Sequence, residues 1–320
     1  MNQSITTVPA EATAAEAAGA AAKLQLSIVE PIQHELFVVE DQGQDWSVKD
    51  DISSMEHPIF ALAKTPSREI RTYSRGGKTL RIIPSGVGSP TVFDKDLVIY
   101  LVSHLVKGLN GKQPVSRRVR IDVHPFLVAT RRSTGGASYT RVLDMCRRLR
   151  GTTIETNIRT TEEERTKGFG LIEDYDVIAA TKNGKGALVL EVVISDWLYR
   201  AAVDYDVLTL NPEYFSLTQA LERRVYELAR KHCGDQAWWT ISLPLLQEKT
   251  GSTQSARKWK QEIKAMVQAD ALPDYRMALD ESVRPNVVIF LTRDSKKLLQ
   301  QANKADKVAW LGKCLQKSMH

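Results

Sequence analysis

The sequence predicts an α+β protein made of two tandem winged-helix domains, with a disordered N-terminal arm in front and a short C-terminal tail behind. Three observations carry this reading. One order of elements (helix, strand, short helix, longer helix, strand pair) is legible twice although no sequence repeat exists. Glycines fall where the helices and hairpins of that order end. Acidic residues are concentrated in the arm before the first copy, and the body that holds both copies is basic.

Charge and composition come first because they restrict the function. A chain of 320 residues has room for about two domains, and 42% hydrophobic with 26% charged residues describes an ordinary globular protein. Residues 1–56 hold ten acids against Lys23 and Lys49, a balance of −8. The net charge of +6 therefore leaves +14 on the remainder. A basic body behind an acidic arm points to an anionic partner such as nucleic acid, with an arm able to compete for the same surface. Cys146, Cys233 and Cys314 lie far apart with no CxxC, against a disulfide framework or zinc ribbon and in keeping with a reducing cytoplasm. No apolar run approaches the ~20 residues a membrane span needs. The opening AEATAAEAAGAAAK is interrupted by Glu11 and Glu16 and has no basic segment before it, unlike a signal peptide. The expectation is a cytoplasmic protein without membrane contact, its residues 1–55 a mobile arm.

The first domain is expected over residues 56–210. SREIRTYSRGGKTLRIIPSG alternates around Gly76 and Gly77 and reads as a hairpin. Leu97, Tyr100, Leu101, His104 and Leu105 then recur at helical spacing, with Gly108 closing the helix. A short strand at Val119–Ile121 and a brief helix capped by Asp122 follow. Gly135 and Gly136 precede YTRVLDMCRRLRGTTIETNIRTT, an arginine-rich helix running into a Thr/Ile-rich strand. Two further strands flank a KNGKG turn.

The second domain is expected over residues 211–295. SLTQALERRVYELARKHCG is an amphipathic helix ending at glycine, and WWTIS a short strand. SLPLLQEKTG is a short helix with Ser242 as N-cap, Pro244 in its first turn and Gly251 at its end. STQSARKWKQEIKAMVQAD, from about Thr253 to Asp270, is a longer helix, and two strands with a polar turn follow. Residues 296–320 read as a basic tail, partly helical at best.

Steps of 100° per residue separate the helix faces. On the first longer helix, Tyr139, Val142, Cys146 and Leu149 form the buried side, while Arg141, Asp144 and Arg148 are outward with Arg147 on the flank. Asp144 could hold Arg141 and Arg148 in intrahelical pairs of only ~0.2–0.5 kcal/mol each. On the second, Ala256, Trp259, Ile263 and Met266 are expected inside, and Gln254, Arg257, Gln261, Lys264 and Gln268 outside, flanked by Lys258 and Lys260. That outward stripe contains no acid. Arginine matches a guanine edge and glutamine an adenine edge, and flanking lysines suit phosphates. Arg117, Arg118 and Arg120, with Lys182 and Lys185 of the turn, are lesser phosphate candidates. Trp238 and Trp239 suit core packing better than base stacking.

Enzyme chemistry is not legible. SRGGKTL resembles a phosphate-binding loop, but Thr72 stands where the first glycine belongs and a strand follows instead of a helix. The six histidines are scattered singly, with no HxH pair to hold the metal of a DNA-nicking enzyme. The acids at 162–164 and 173–176 read as solvated loops. No cofactor and no catalytic residue is expected.

The segments SYTRVLDMCRRLRGTTIETN and LNPEYFSLTQALERRVYELARKHCG, within the tandem order, resemble bacterial plasmid replication initiators of the RepA type over about Met55–Asp294. The resemblance implies a non-enzymatic protein that binds directly repeated sites (iterons) of double-stranded origin DNA. It further implies opening of A·T-rich DNA, recruitment of the host initiator and replicative helicase, and a monomer–dimer equilibrium in which dimers repress the protein's own gene. By position, Arg257, Gln261 and Lys264 become base-reading candidates, and Arg141 and Arg148 contacts of the first domain. A transcriptional repressor built from the same domains stays open as an alternative, and a DNA-nicking enzyme as a weaker one.

Overall fold

The computed structural model describes residues 36–39, 46–75, 77–159, 164–182 and 185–318. Structure begins before the expected first domain, with strands β1 (Leu36–Val38) and β2 (Lys49–Asp51) and a short helix α1 (Ile52–Glu56). The glycine-centred alternation forms the hairpin β3 (Arg71–Arg75) and β4 (Lys78–Ile83), so the phosphate-loop likeness of SRGGKTL ends in a turn. Next come α2 (Lys95–Asn110), β5 (Arg118–Asp122), α3 (Val123–Ala129) and α4 (Gly136–Gly151). Four strands follow, β6 (Thr153–Arg159), β7 (Glu164–Phe169), β8 (Ile172–Lys182) and β9 (Lys185–Ile194), then α5 (Asp196–Val203) and β10 (Val207–Thr209). The sheets run β1-β5-β9-β8 and β3-β4-β6-β7. The sequence showed three strands after α4; the fourth, β7, is polar (ERTKGF) and pairs with β6 beyond an acidic stretch, so no hydrophobic period marks it.

The second lobe holds a 3₁₀ turn (Pro212–Ser216), α6 (Ala220–Cys233), β11 (Trp238–Ser242), α7 (Leu243–Thr250), α8 (Ala256–Ala269), β12 (Tyr275–Asp280) and β13 (Val287–Thr292). Its sheet order, β11-β13-β12, repeats the β5-β9-β8 order of the first lobe, with the last strand in the middle each time. The chain is thus α+β, and the helix–strand–helix–helix–strand–strand succession recurs with the β6–β7 pair inserted in the first copy.

The C-terminal stretch is folded, against the expectation of a loose tail. It forms α9 (Ser295–Lys304) and α10 (Val308–Lys317). Strand β13 explains why: Val288 and Phe290 face the core beneath α6–α8, while Ile289 and Leu291 face a further core closed by Leu298, Ala302, Leu311 and Cys314. VVIFLT is apolar on both faces, as a strand covered on both sides must be.

The arm, expected to reach residue 55, also gives way earlier. β1 pairs with β5, β2 with β10, and Val48 and Met55 are buried in the core of the second lobe. Asp50 and Asp51, counted among the arm's solvated acids, lie inside. Lys95 at the start of α2 approaches Asp50 at 2.6 Å and Glu227 of α6 at 3.0 Å, all three buried. Arg224 binds Glu227 at 3.2 Å and donates to the carbonyls of Met55 (2.9 Å) and Lys249 (2.9 Å). Arg223 meets Asp96 at 2.5 Å. A network of buried titratable groups therefore joins the lobes, and burial raises the Asp50 carboxyl to about 8 even beside Lys95. Residues 1–35 lie outside the described part.

Candidate nucleic-acid interface

Helix α8 is set in place from beneath. Ser255 caps it by accepting the Lys258 amide, and Trp259, Ile263, Met266 and Val267 are buried. Ala256, expected among them, is exposed at the first turn. The Trp259 indole donates to the Leu243 carbonyl at 3.0 Å and ties α8 to α7. Between the two helices Gly251 caps α7 in the left-handed region (φ 76°), where a side chain is strained and where a Cβ would come within 2.7 Å of Pro58. The α7–α8 turn is thereby fitted against the first lobe.

The outward face of α8 is largely as expected in composition but not in charge. Arg257, Lys258, Gln261, Lys264 and Gln268 are exposed, Lys260 less so. Arg257 and Lys258 make no ion pair among the described residues. Lys260 and Lys264, by contrast, both reach Glu281 in the β12–β13 turn, at 2.5 and 2.8 Å. The stripe has no acid of its own; the turn brings one to it. The two lysine hydrogen bonds hold the Glu281 carboxyl down at about 2. Gln254 does not belong to the face either. It precedes the N-cap, and its amide donates to Glu262 at 2.8 Å.

On α4 the arginines separate. Val142, Met145, Cys146 and Leu149 are buried, with Tyr139 only partly covered. Arg148 is turned inward: its guanidinium makes two hydrogen bonds to Asp94, at 2.8 and 2.6 Å, and only 14% of the side chain is exposed. That overturns its place as an outward contact, because Asp94 at the head of α2 needs a cation and helical spacing cannot reveal a partner 54 residues away. Asp144 holds Arg147 at 2.9 Å, not Arg141 or Arg148. Arg141 is exposed and makes no ion pair among the described residues. The lesser candidates are mostly spoken for. Arg117 pairs with Glu173, and Arg118 and Arg120 pair with Glu191. Trp239 stacks on Phe290 (5.2 Å) and His232 (4.7 Å), and Trp238 packs with Trp310 (5.4 Å), so both serve packing. The side chains of Lys182 and Lys185 lie outside the described residues.

A family model for replication initiator protein A matches residues 49–277. The chain belongs to that family. A protein of Wigglesworthia glossinidia brevipalpis whose name assigns it to replication is 35% identical over 243 residues, covering 75% of this chain and 88% of its own. In fold, the chain is similar to two crystal structures of domains 2 and 3 of RctB, with TM-scores of 0.56 and 0.53 at 12% identity. Each match covers 75% of this chain, and 98% and 97% of the respective structure.

The initiator's basic surface extends past the matched segment. Lys264, Gln268, Leu279 and Glu281 line a cleft of about 420 Å³ together with Lys313, Gln316 and Lys317 of α10. These α10 residues were absent from the sequence candidates. Two signals were available: six lysines against the single acid Asp306 over residues 295–318, and Leu298, Ala302, Leu311 and Cys314 at helical spacings. The described residues contain no group of three His, Cys, Asp or Glu able to hold a metal. No described helix is long and apolar enough to cross a membrane. Cys146, Cys233 and Cys314 are free and buried.

Proposed function

We propose that this replication initiator works by binding, without catalysis, directly repeated sites of a plasmid origin. In this reading each lobe is a winged helix, with α8 in the major groove and the β12–β13 turn as its wing. Arg257 and Gln261 read base edges, and Lys258 contacts the backbone. Arg141 on α4 supplies an accessory contact of the first lobe, a smaller part than its three-arginine face suggested. Bound initiators then open neighbouring A·T-rich DNA and gather the host initiator and helicase, while dimers repress the initiator's own gene. Its place of action is the cytoplasm.

One observation supports this most: a helix fixed from beneath by Trp259 and the Gly251 turn exposes Arg257, Lys258 and Gln261 in a row beside a hairpin turn. Membership of a replication initiator family supports the origin as the target. Footprinting on the DNA flanking the gene is the test. Directly repeated protected sites of ~20 base pairs, two helical turns in register, are expected. A single palindromic site would favour the plain repressor, and no protection at all would remove the DNA reading.

A further inference from the structure

Two adjacent acids, Asp280 at the end of β12 and Glu281 at the start of the turn after it, are occupied by lysines from both sides of the sheet. Glu281 is bridged by Lys260 and Lys264, one helical turn apart on α8, through separate carboxylate oxygens at 2.5 and 2.8 Å. Asp280 accepts from Lys317 of α10 at 2.5 Å and from the Ser282 hydroxyl at 2.6 Å. These hydrogen bonds lower the Asp280 carboxyl to about 2 as well. A phosphodiester presents the same pattern that Glu281 presents: two oxygens sharing one negative charge. Glu281 therefore occupies the position a backbone phosphate would take between these lysines. The contacts are solvent-exposed, with 41% of the Glu281 side chain accessible, so a phosphate can displace them at small cost.

We propose that Glu281 is an internal competitor for the DNA backbone that weakens every complex in which Lys260 and Lys264 would contact phosphates. This rests on α8 being the DNA-contacting helix. Random DNA offers α8 little beyond phosphates, and there Lys260 and Lys264 are already engaged. A cognate site adds base contacts from Arg257 and Gln261, which draw α8 close enough to displace Glu281, so that site bears the displacement cost in full.

The test measures wild type and Glu281→Gln against a random-sequence duplex and against the duplex that wild type protects, over a range of salt. On random DNA the variant should bind about fivefold or more tightly at low salt, with a steeper dependence of log K on log salt by up to about two phosphates' worth. Its gain on the protected duplex should be at least as large. In a Lys260→Gln/Lys264→Gln background the same substitution should gain little. Superimposable curves for wild type and Glu281→Gln on random DNA would overturn the competitor while leaving DNA binding in place. An undiminished gain in the lysine-free background would also overturn it, by reducing the effect to net charge. Wild type that binds neither duplex would remove both the competitor and the DNA reading.

Discussion

Arg148 grips Asp94 through two hydrogen bonds in a largely buried setting, while Arg257 stands exposed on α8 without an ion pair among the described residues. Their substitutions should fail differently. Arg148→Ala leaves the buried Asp94 carboxylate without its cation and should cost on the order of 3 kcal/mol of stability. Denaturant unfolding checks this, and the salt dependence of DNA binding should not change. A flatter salt slope with unaltered stability would restore Arg148 as a phosphate contact. Arg257→Ala should leave unfolding within about 0.5 kcal/mol of wild type, as for surface changes generally. It should cost ~1–3 kcal/mol on a cognate site if the guanidinium holds a base edge, and much less on random DNA. Equal losses on the two would make it a phosphate contact. Both are arginines on the third helix of their lobe, so residue type and spacing could not part them. What parts them is Asp94, which reaches α4 only after α2 has packed.

At the scale of elements, the alternation of β13 links the lobe to its C-terminal helices. Ile289 and Leu291 are at most 2% exposed, and α9 and α10 are what cover them. Leu311→Ala removes a side chain that is 2% exposed from that cover and should cost about 2–4 kcal/mol in the same cooperative transition. A loss under about 0.5 kcal/mol would mean that the two helices are not part of the lobe's cooperative core. Strand periods in the sequence located β12 and β13 well. They left α9 and α10 as a tail because lysines dominate its composition and only Leu298, Ala302, Leu311 and Cys314 within it are buried apolar positions of the further core. The same blindness affected β2 and α1: in an acid-rich stretch, Asp50 and Asp51 look solvated until Lys95 is brought to them.

Across the whole molecule, α1 is anchored to the second lobe through Glu56. Its carboxylate contacts Lys231 and His232 at 3.0 Å each, and Lys249 as well. Burial pushes this carboxyl up, but the hydrogen bonds from His232, Lys249 and Lys231 outweigh it and hold it well below its ordinary 4.5. A carboxyl depressed in the folded state adds stability above its unfolded value, and that stability is lost as pH falls through the folded one. Glu56→Gln should therefore be less stable than wild type at neutral pH, and the gap should close on acidification below about 4.5. Thermal melts at a series of pH values would show it. A gap independent of pH would assign the loss to packing.

The sequence by itself determined the α+β class, the doubled order of elements, the outward composition of α8 and the resemblance to replication initiators. Each of these depends on neighbours within a few residues, where helical and strand periods and glycine caps operate. Only the tertiary structure decided which charges are free. Asp94 takes Arg148, Lys95 takes Asp50, and Glu281 takes Lys260 and Lys264, each pairing joining separate elements. A charge acts through the few ångströms around it, and folding, not order along the chain, chooses what stands there.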